Sequence, residues 1–316
     1  MSYSVLIKLA TTLKKEAEMT RFVLCASLVL SALGASFGAG AQQDFSKVEI
    51  KSTPVAGNVH MLQGSGGNIG VSVGSDGILI VDDQFAPLAD KIRAALKTLG
   101  EGKLRFLLNT HWHGDHTGSN AVFSNEATII AHDNVRKRLG EGMQAPGRTV
   151  APAAKEALPV ITFDKSLAVH FNGEEIRAIH YPKGHTDGDS IIFFTKSNVV
   201  HMGDDFFNGS FPFIDLLSGG DVEGYLKNIA DVIPRIPPGA KIIPGHGPLA
   251  TIDDLKAYHA MLVETIDIVR KQMKAGTSVA DIKKGGMPEK YKSWGTGFIN
   301  TDRWIQTIYD GLSPKK

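Results

Sequence analysis

The segment His111-Trp112-His113-Gly114-Asp115-His116 constrains this 316-residue chain more than any other. Four metal-competent side chains fall within six residues, just past the apolar run 104–108. A short apolar run of this kind reads as a buried strand, so the cluster sits in a turn at a strand's end. Three imidazoles and a carboxylate gathered in one turn have no folding rationale. Nothing sulfurous accompanies them, since the one cysteine, Cys25, lies near the N-terminus. Imidazole and carboxylate donors suit Zn²⁺ or another borderline divalent cation. Such a turn can aim His111 and His113 at one ion while Asp115 and His116 face a second.

Three other places put a polar residue just past an apolar run. Residues 176–180 precede Lys183-Gly184-His185, Val199-Val200 precedes Gly203-Asp204, and Lys241-Ile242-Ile243 precedes Pro244-Gly245-His246. Strand ends on one edge of a sheet converge, so 111–116, 185, 204 and 246 form one candidate site. Around them strands alternate with helices, the pattern of an α/β chain. Residues 59–62, 68–73 and 78–81 predict a β-meander. Residues 87–99 predict a helix with Leu88, Ile92, Leu96 and Leu99 on one face. A short strand is expected at 128–131, a hairpin at 191–200 and a helix at 221–233. Thr251, with Asp254 three residues on, caps a further helix, whose apolar stripe runs from Leu255 to Met273 and which ends at Gly276.

Some segments carry two readings. The four aromatics of 206–213 either wall a substrate pocket or pack against the core. Asp187 either orients a ligand imidazole or is a turn residue beside Gly188. The Ala-, Pro- and Gly-rich stretch 140–160 reads as a mobile loop. His60, His132, His170, His180, His201 and His259 stand alone and are assigned no role.

Taken in order, His111-x-His113-x-Asp115-His116, Gly184-His185-Thr186, Gly203-Asp204 and Gly245-His246-Gly247 resemble the metallo-β-lactamase superfamily. Ile80-Val81-Asp82 before a helix is similar to that family's early strand. The resemblance covers residues 59–250. It implies an α/β (α+β) fold, an αββα sandwich of two mixed β-sheets flanked by helices. It also implies two zinc ions per chain. One would take His111, His113 and His185, the other Asp115, His116 and His246, and Asp204 would bridge them. Iron-containing, flavin-linked members carry Glu where this chain has His113, which favours zinc. Many zinc β-lactamases have Cys, or no carboxylate, where Asp204 stands. In this respect the chain looks more like the hydroxyacylglutathione hydrolase, lactonase and phosphodiesterase branches.

Such a centre predicts hydrolysis. Water between two Zn²⁺ ions loses a proton near neutral pH, and the hydroxide attacks a carbonyl or phosphoryl centre. Asp115 can bind metal and also orient that water or accept its proton, so it is the candidate catalytic residue. The expected activity is opening of an amide or ester bond, β-lactams and lactones among the cyclic cases. Thioester hydrolysis, phosphodiester hydrolysis and a non-catalytic metal-bearing binding protein are the alternatives. Lys plus Arg is 34 against 33 for Asp plus Glu, so the basic excess of a nucleic-acid-binding protein is missing. Only Lys183 stands beside the motifs to hold a phosphate. A small-molecule substrate is therefore expected, and no nucleic-acid partner; the sequence carries no signature of an oligomeric state.

The N-terminus reads as an export signal. Lys8, Lys14, Lys15 and Arg21 precede the apolar run 22–38, and Ala39-Gly40-Ala41 follows as an A-x-A cleavage site. That order is the one of a secretory signal peptide, and the run is short for a membrane span. Cleavage after Ala41 would leave a single hydrolase domain, 42–316, in the periplasm or outside the cell, with no stable membrane insertion. The leader carries four basic and two acidic residues, so its loss takes the formal charge from +1 to −1. Cys25 leaves with it, which suits an oxidising compartment.

Overall fold

The computed structural model describes residues 44–314, and the expected leader, 1–41, lies outside them. Six strands cross a first sheet in chain order: β1 (Lys51–Ala56), β2 (Val59–Gln63), β3 (Ile69–Gly74), β4 (Gly77–Val81), β5 (Leu104–Leu108) and β6 (Thr128–His132). A separate hairpin follows, β7 (Met143–Ala145) and β8 (Arg148–Val150), and then β9 (Ile161–Phe163) completes the first sheet beside β6. Strands β1 to β4 are the expected antiparallel meander, whereas β4, β5, β6 and β9 run parallel. Pro54 sits in β1, at the sheet's edge, where a missing N–H is tolerated.

The second sheet holds β10 (Ser166–Phe171), β11 (Glu174–His180), β12 (Ser190–Phe194), β13 (Val199–His201) and β14 (Lys241–Ile243). It is antiparallel except for the β13–β14 pair.

Period-two alternation explains the layers, because successive side chains of a strand leave by opposite faces. In β4, Leu79 and Val81 point inward and share one core with Ile192, Phe194 and Ile243 of the other sheet. Ile78 and Ile80 point outward and pack against Ile92 and Leu96 of helix α1 (Ala89–Leu99). Two short helices, α2 (Gly114–Thr117) and α3 (Asn120–Phe123), and then α4 (Asp133–Glu141) follow on this side of the chain. Ile191, Val200 and Ile242 of the second sheet face the other way, against α5 (Val222–Val232), α6 (Ile252–Lys274) and the C-terminal helices α7 (Val279–Gly285) and α8 (Thr301–Leu312). Each sheet is thus apolar on both faces, and the αββα sandwich is the expected one. Truncating a core side chain such as Leu79 to alanine would cost about 2–5 kcal/mol.

Local signals set the boundaries. The Thr251 side chain accepts from the Asp254 N–H, and the Asp254 carboxylate accepts from the Thr251 N–H, a complete capping box at the start of α6. The stretch 140–160, read from its composition as a mobile loop, carries regular structure. It holds the β7–β8 hairpin and a 3₁₀ turn at Lys155–Ala157, whose Ala157 is buried.

Strand polarity then places the site. The chain leaves β4, β5, β11, β13 and β14 at one edge of the sandwich, and Asp82, His111, His185, Asp204 and His246 all fall just beyond those ends. Asn68 fastens the two sheets there. Its N–H donates to the Gly245 carbonyl (2.7 Å), and its amide donates to the carbonyls of Pro244 and Gly247 (2.9 Å each).

Candidate metal centre

All seven residues singled out from the sequence meet at this edge. The donor atoms of His111, His113, His185 and Asp204 lie within 4.8 Å of one another, and so do those of Asp115, His116 and His246. The Asp204 carboxylate stands between the two groups. Its Oδ2 is 3.4 Å from His185 Nε2 and 3.8 Å from His111 Nε2. Its Oδ1 is 3.1 Å from His116 Nε2 and 3.3 Å from His246 Nε2. Asp115 Oδ2 lies 3.4 Å from His246 Nε2 and 3.6 Å from His116 Nε2.

Four of the five imidazoles are aimed by their other nitrogen. His116 Nδ1 donates to Asp82 Oδ2 at 2.7 Å. The Thr110 hydroxyl donates to the same oxygen at 2.7 Å and accepts from His111 Nδ1 at 3.0 Å. Asp82, at a φ of +66° that non-glycine residues seldom adopt, therefore steadies a histidine in each group. His185 Nδ1 donates to the Phe213 carbonyl at 2.6 Å. His113 Nε2 donates to Asp215 Oδ2 at 2.8 Å, and that carboxylate also accepts from Arg148 Nη1 and the Ser218 hydroxyl, both at 2.6 Å. Partners of this kind fix the tautomer and ring orientation of metal-ligating histidines.

The inward-facing atoms are left without such partners. His113 Nδ1 and His185 Nε2 point at each other across 2.8 Å. His111 Nε2 and Asp204 Oδ1 are buried and have no hydrogen-bond partner. Orphaned buried acceptors of this sort cost free energy unless something satisfies them. A divalent cation would satisfy both groups at once, and the all-N/O donor set suits a borderline one. The residues present therefore fit a metal centre.

Electrostatics divide the cluster. Burial, with His116 nearby, holds His111 well below the usual histidine range, and burial likewise takes His185 down to about 4. Burial opposes charge on His246 too, but Asp204 and Asp115 overcome it and raise the imidazole to about 9. His116 is raised well above its ordinary value in the same way, burial losing to Asp204, Asp115 and Asp82. In return, and again against burial, His116 and His246 hold Asp115 at about 2.

Glycine is required where backbone approaches these ligands. A Cβ on Gly67 would collide with the imidazole of His116, and one on Gly245 with the Asp204 carboxylate.

Several groups near the site were not legible in the sequence. Asp215, Thr110 and Arg148 are three of them. Asp187 does not reach a ligand imidazole. It binds the guanidinium of Arg138 through both oxygens at 2.6 Å, while the Phe213 carbonyl does the orienting of His185. The aromatic segment divides between its two readings. Phe206 and Phe211 are buried in the core beneath the second sheet. Phe207 stacks on His246 with ring centres 5.1 Å apart, and Phe213 lies 5.8 Å from His113 and 5.7 Å from His185. Lys183 is not the only cation nearby, because Arg138 and Arg148 lie 6.0 and 5.6 Å from the Trp112 ring centre, beside His113.

Known proteins agree with this architecture. The profile of the Metallo-beta-lactamase superfamily matches residues 53–249, more than half of the chain. A protein of Bacillus subtilis (strain 168) described as "Probable metallo-hydrolase YqgX" is 30% identical over 184 residues, 54% of this chain and 83% of its own length. A hydroxyacylglutathione hydrolase of Polaromonas sp. is 28% identical over 143 residues, 44% of this chain and 47% of that protein. Among solved structures, a metallo-beta-lactamase from Pontibacter korlensis superposes with a TM-score of 0.58 over 68% of this chain and 99% of its own, at 14% identity. The last likeness speaks for the fold alone; the profile, spanning every strand-end motif from Asp82 to His246, speaks for the family. With its histidines and carboxylates gathered at one sheet edge, the chain belongs to the metallo-β-lactamase superfamily and is a metal-dependent hydrolase.

Proposed function

We propose that this protein is an exported di-zinc hydrolase that opens carbonyl-centred amide or ester bonds in small molecules, cyclic ones included. The observation that carries the reading is the Asp204 carboxylate, with one oxygen toward each group of donors. His111, His113 and His185 would hold one ion, Asp115, His116 and His246 the other, and Asp204 both. Zinc bound there would polarise the scissile carbonyl and make water acidic enough to attack near neutral pH. The chain's own residues do the rest. Asp115, with 28% of its side chain exposed, is the carboxylate of the cluster most open to incoming water. It would orient that water and take its proton before passing it to the leaving group. Phe207 and Phe213 flank the histidines and would keep bulk water off the reacting bond.

A carbonyl substrate is favoured over a phosphodiester by the state of the nearby cations. Arg138 and Arg148 are each committed to a carboxylate, Asp187 and Asp215. Neither is spare to neutralise a polyanion. Thioester hydrolysis is the second reading, favoured by the similarity to a hydroxyacylglutathione hydrolase. Export rests on the leader sequence 1–41, and a periplasmic or secreted location follows from it.

The test is a substrate panel on protein purified without chelator, with elemental analysis alongside. Nitrocefin, lactones, thioesters and bis-p-nitrophenyl phosphate cover the readings. About two zinc ions per chain are expected, together with ring opening of a β-lactam or lactone that EDTA abolishes. Phosphodiester cleavage at least about a hundredfold faster than any carbonyl substrate, ~2.7 kcal/mol in barrier, would overturn the carbonyl reading. A metal content near one ion, with full activity, would overturn the binuclear one.

A further inference from the structure

A cavity of 330 Å³ opens directly beside His113. Trp112, Leu139, Val150 and five alanines, among them Ala121 and Ala154, make most of its wall, together with Arg138 and Arg148. A larger cleft of 720 Å³ surrounds Ile78 and Leu104. Those residues lie at the starts of β4 and β5, whereas the histidines follow the strands' other ends, so that cleft is too remote to serve the same reaction.

The wall of the smaller cavity defines its occupant. Its alanines leave space that larger side chains would fill, and its remaining surface is largely hydrocarbon and indole. The two guanidiniums have their charge matched, Arg138 by Asp187 and Arg148 by Asp215. Both lie over the Trp112 ring. Trp112 is 3% exposed, and its Nε1 donor is buried without a partner. A dry apolar cavity of about 150 Å³ accommodates benzene, so this one, about twice as large, suits a fused bicyclic ring or an alkyl chain of similar bulk.

We propose that this cavity is the recognition subsite for a neutral apolar side group, aryl or alkyl and up to naphthyl in size, attached to the bond that is hydrolysed. The inference rests on the carbonyl-hydrolase reading of the metal centre and adds the class of group that its substrate carries. His113 belongs to both, so a group seated in the cavity lies next to the reacting atoms.

Two measurements test it separately. The first is calorimetric titration of the zinc-loaded protein with 2-naphthamide, a neutral probe. Binding is expected, and at least tenfold weaker binding in Ala154→Trp, which fills the cavity from an exposed rim position. Ala121→Trp, from another exposed position on the wall, guards against a local fault in the first variant. The second compares kcat/KM for p-nitrophenyl octanoate and p-nitrophenyl acetate, which share a leaving group. The wild-type protein should favour octanoate at least tenfold, and Ala154→Trp should erase that preference while holding acetate within twofold. If naphthamide binding responds to the variants but neither ester is cleaved, the subsite stands and the ester reading falls. If both esters are cleaved alike by all three proteins, or naphthamide binding is absent or unmoved, the subsite is overturned while the activity stands.

Discussion

His111 and His185 are at most 1% exposed, and His113 is 10% exposed, whereas in the other group only His116 is buried, and Asp115 and His246 leave 28% and 29% of their side chains open. The two halves of the centre also differ in what holds them. The closed half is gripped from two sides. Thr110 aims His111, and the loop 213–218 supplies both the carbonyl that holds His185 and the carboxylate that holds His113. In the open half, Asp82 aims His116 at 2.7 Å and Phe207 stacks on His246, while Asp115 stands at the start of a four-residue helix. Support of the first kind preorganises a site for an ion, while the partly exposed Asp115 and His246 leave room for water and substrate. On the di-zinc reading, the closed half would retain its ion and the open half would exchange it.

Removing a ligand from the closed half is expected to do the most damage. His113→Ala should lower kcat/KM by at least about a thousandfold, ~4 kcal/mol in barrier, and reduce the bound metal. If it keeps both ions and its turnover, the closed half is not a metal site. Next comes Asp204→Asn, which removes charge from the bridge but leaves three imidazoles on one side. Activity should fall about a hundredfold, ~2.7 kcal/mol in barrier, and zinc content should move toward one ion per chain; wild-type values for both would displace Asp204 from the bridge.

Asp215→Ala should cost about 10–100-fold in metal affinity or activity, since its carboxylate meets the centre through His113 and its backbone bond to His185 survives the change. Competition with a chelator should show the loss in the tighter ion. Asp82→Ala, by contrast, should weaken both ions, because Asp82 reaches His116 directly and His111 through Thr110. Identical metal profiles from these two variants would erase the distinction drawn between the halves.

The gentlest probe is pH. His246 is raised to about 9 and His185 lowered to about 4 before metal binds. Between pH 6 and 8 protons must therefore leave both His246 and His116 for their ion to enter, whereas His185 is already neutral. Affinity at the open half should rise by at least about tenfold per pH unit, while His185 adds no slope at the closed half. Parallel slopes measured by zinc titration would count against the comparison.

Much of this was legible beforehand, for a physical reason. Ligands after strand ends announce themselves through the apolar runs before them, and the His111–His116 cluster is contiguous. What orients those ligands has no such signature. Asp215 reaches His113 across 102 positions, and Arg148 reaches Asp215 across 67. Asp187 sits two residues from His185 yet turns to Arg138. The strands without a signature in the sequence are β1, β7, β8, β9 and β10. Three of them are only three residues long, β1 contains a proline, and β10 has charged and polar neighbours with a single fully buried residue, Phe171. Their pairing is decided by neighbours in space, not by their own residues.

The glycines pressed against the ligands bear on how such a protein can change over generations. A library randomised at Gly67 and Gly245 should return glycine alone among active clones, because any side chain there evicts His116 or Asp204. Ala121 and Ala154 are exposed and meet no such obstacle from the metal ligands. Innovation is therefore channelled: the reactive edge stays frozen while the alanine-lined wall beside it is free to drift, and new appetites can be tried without relearning the chemistry.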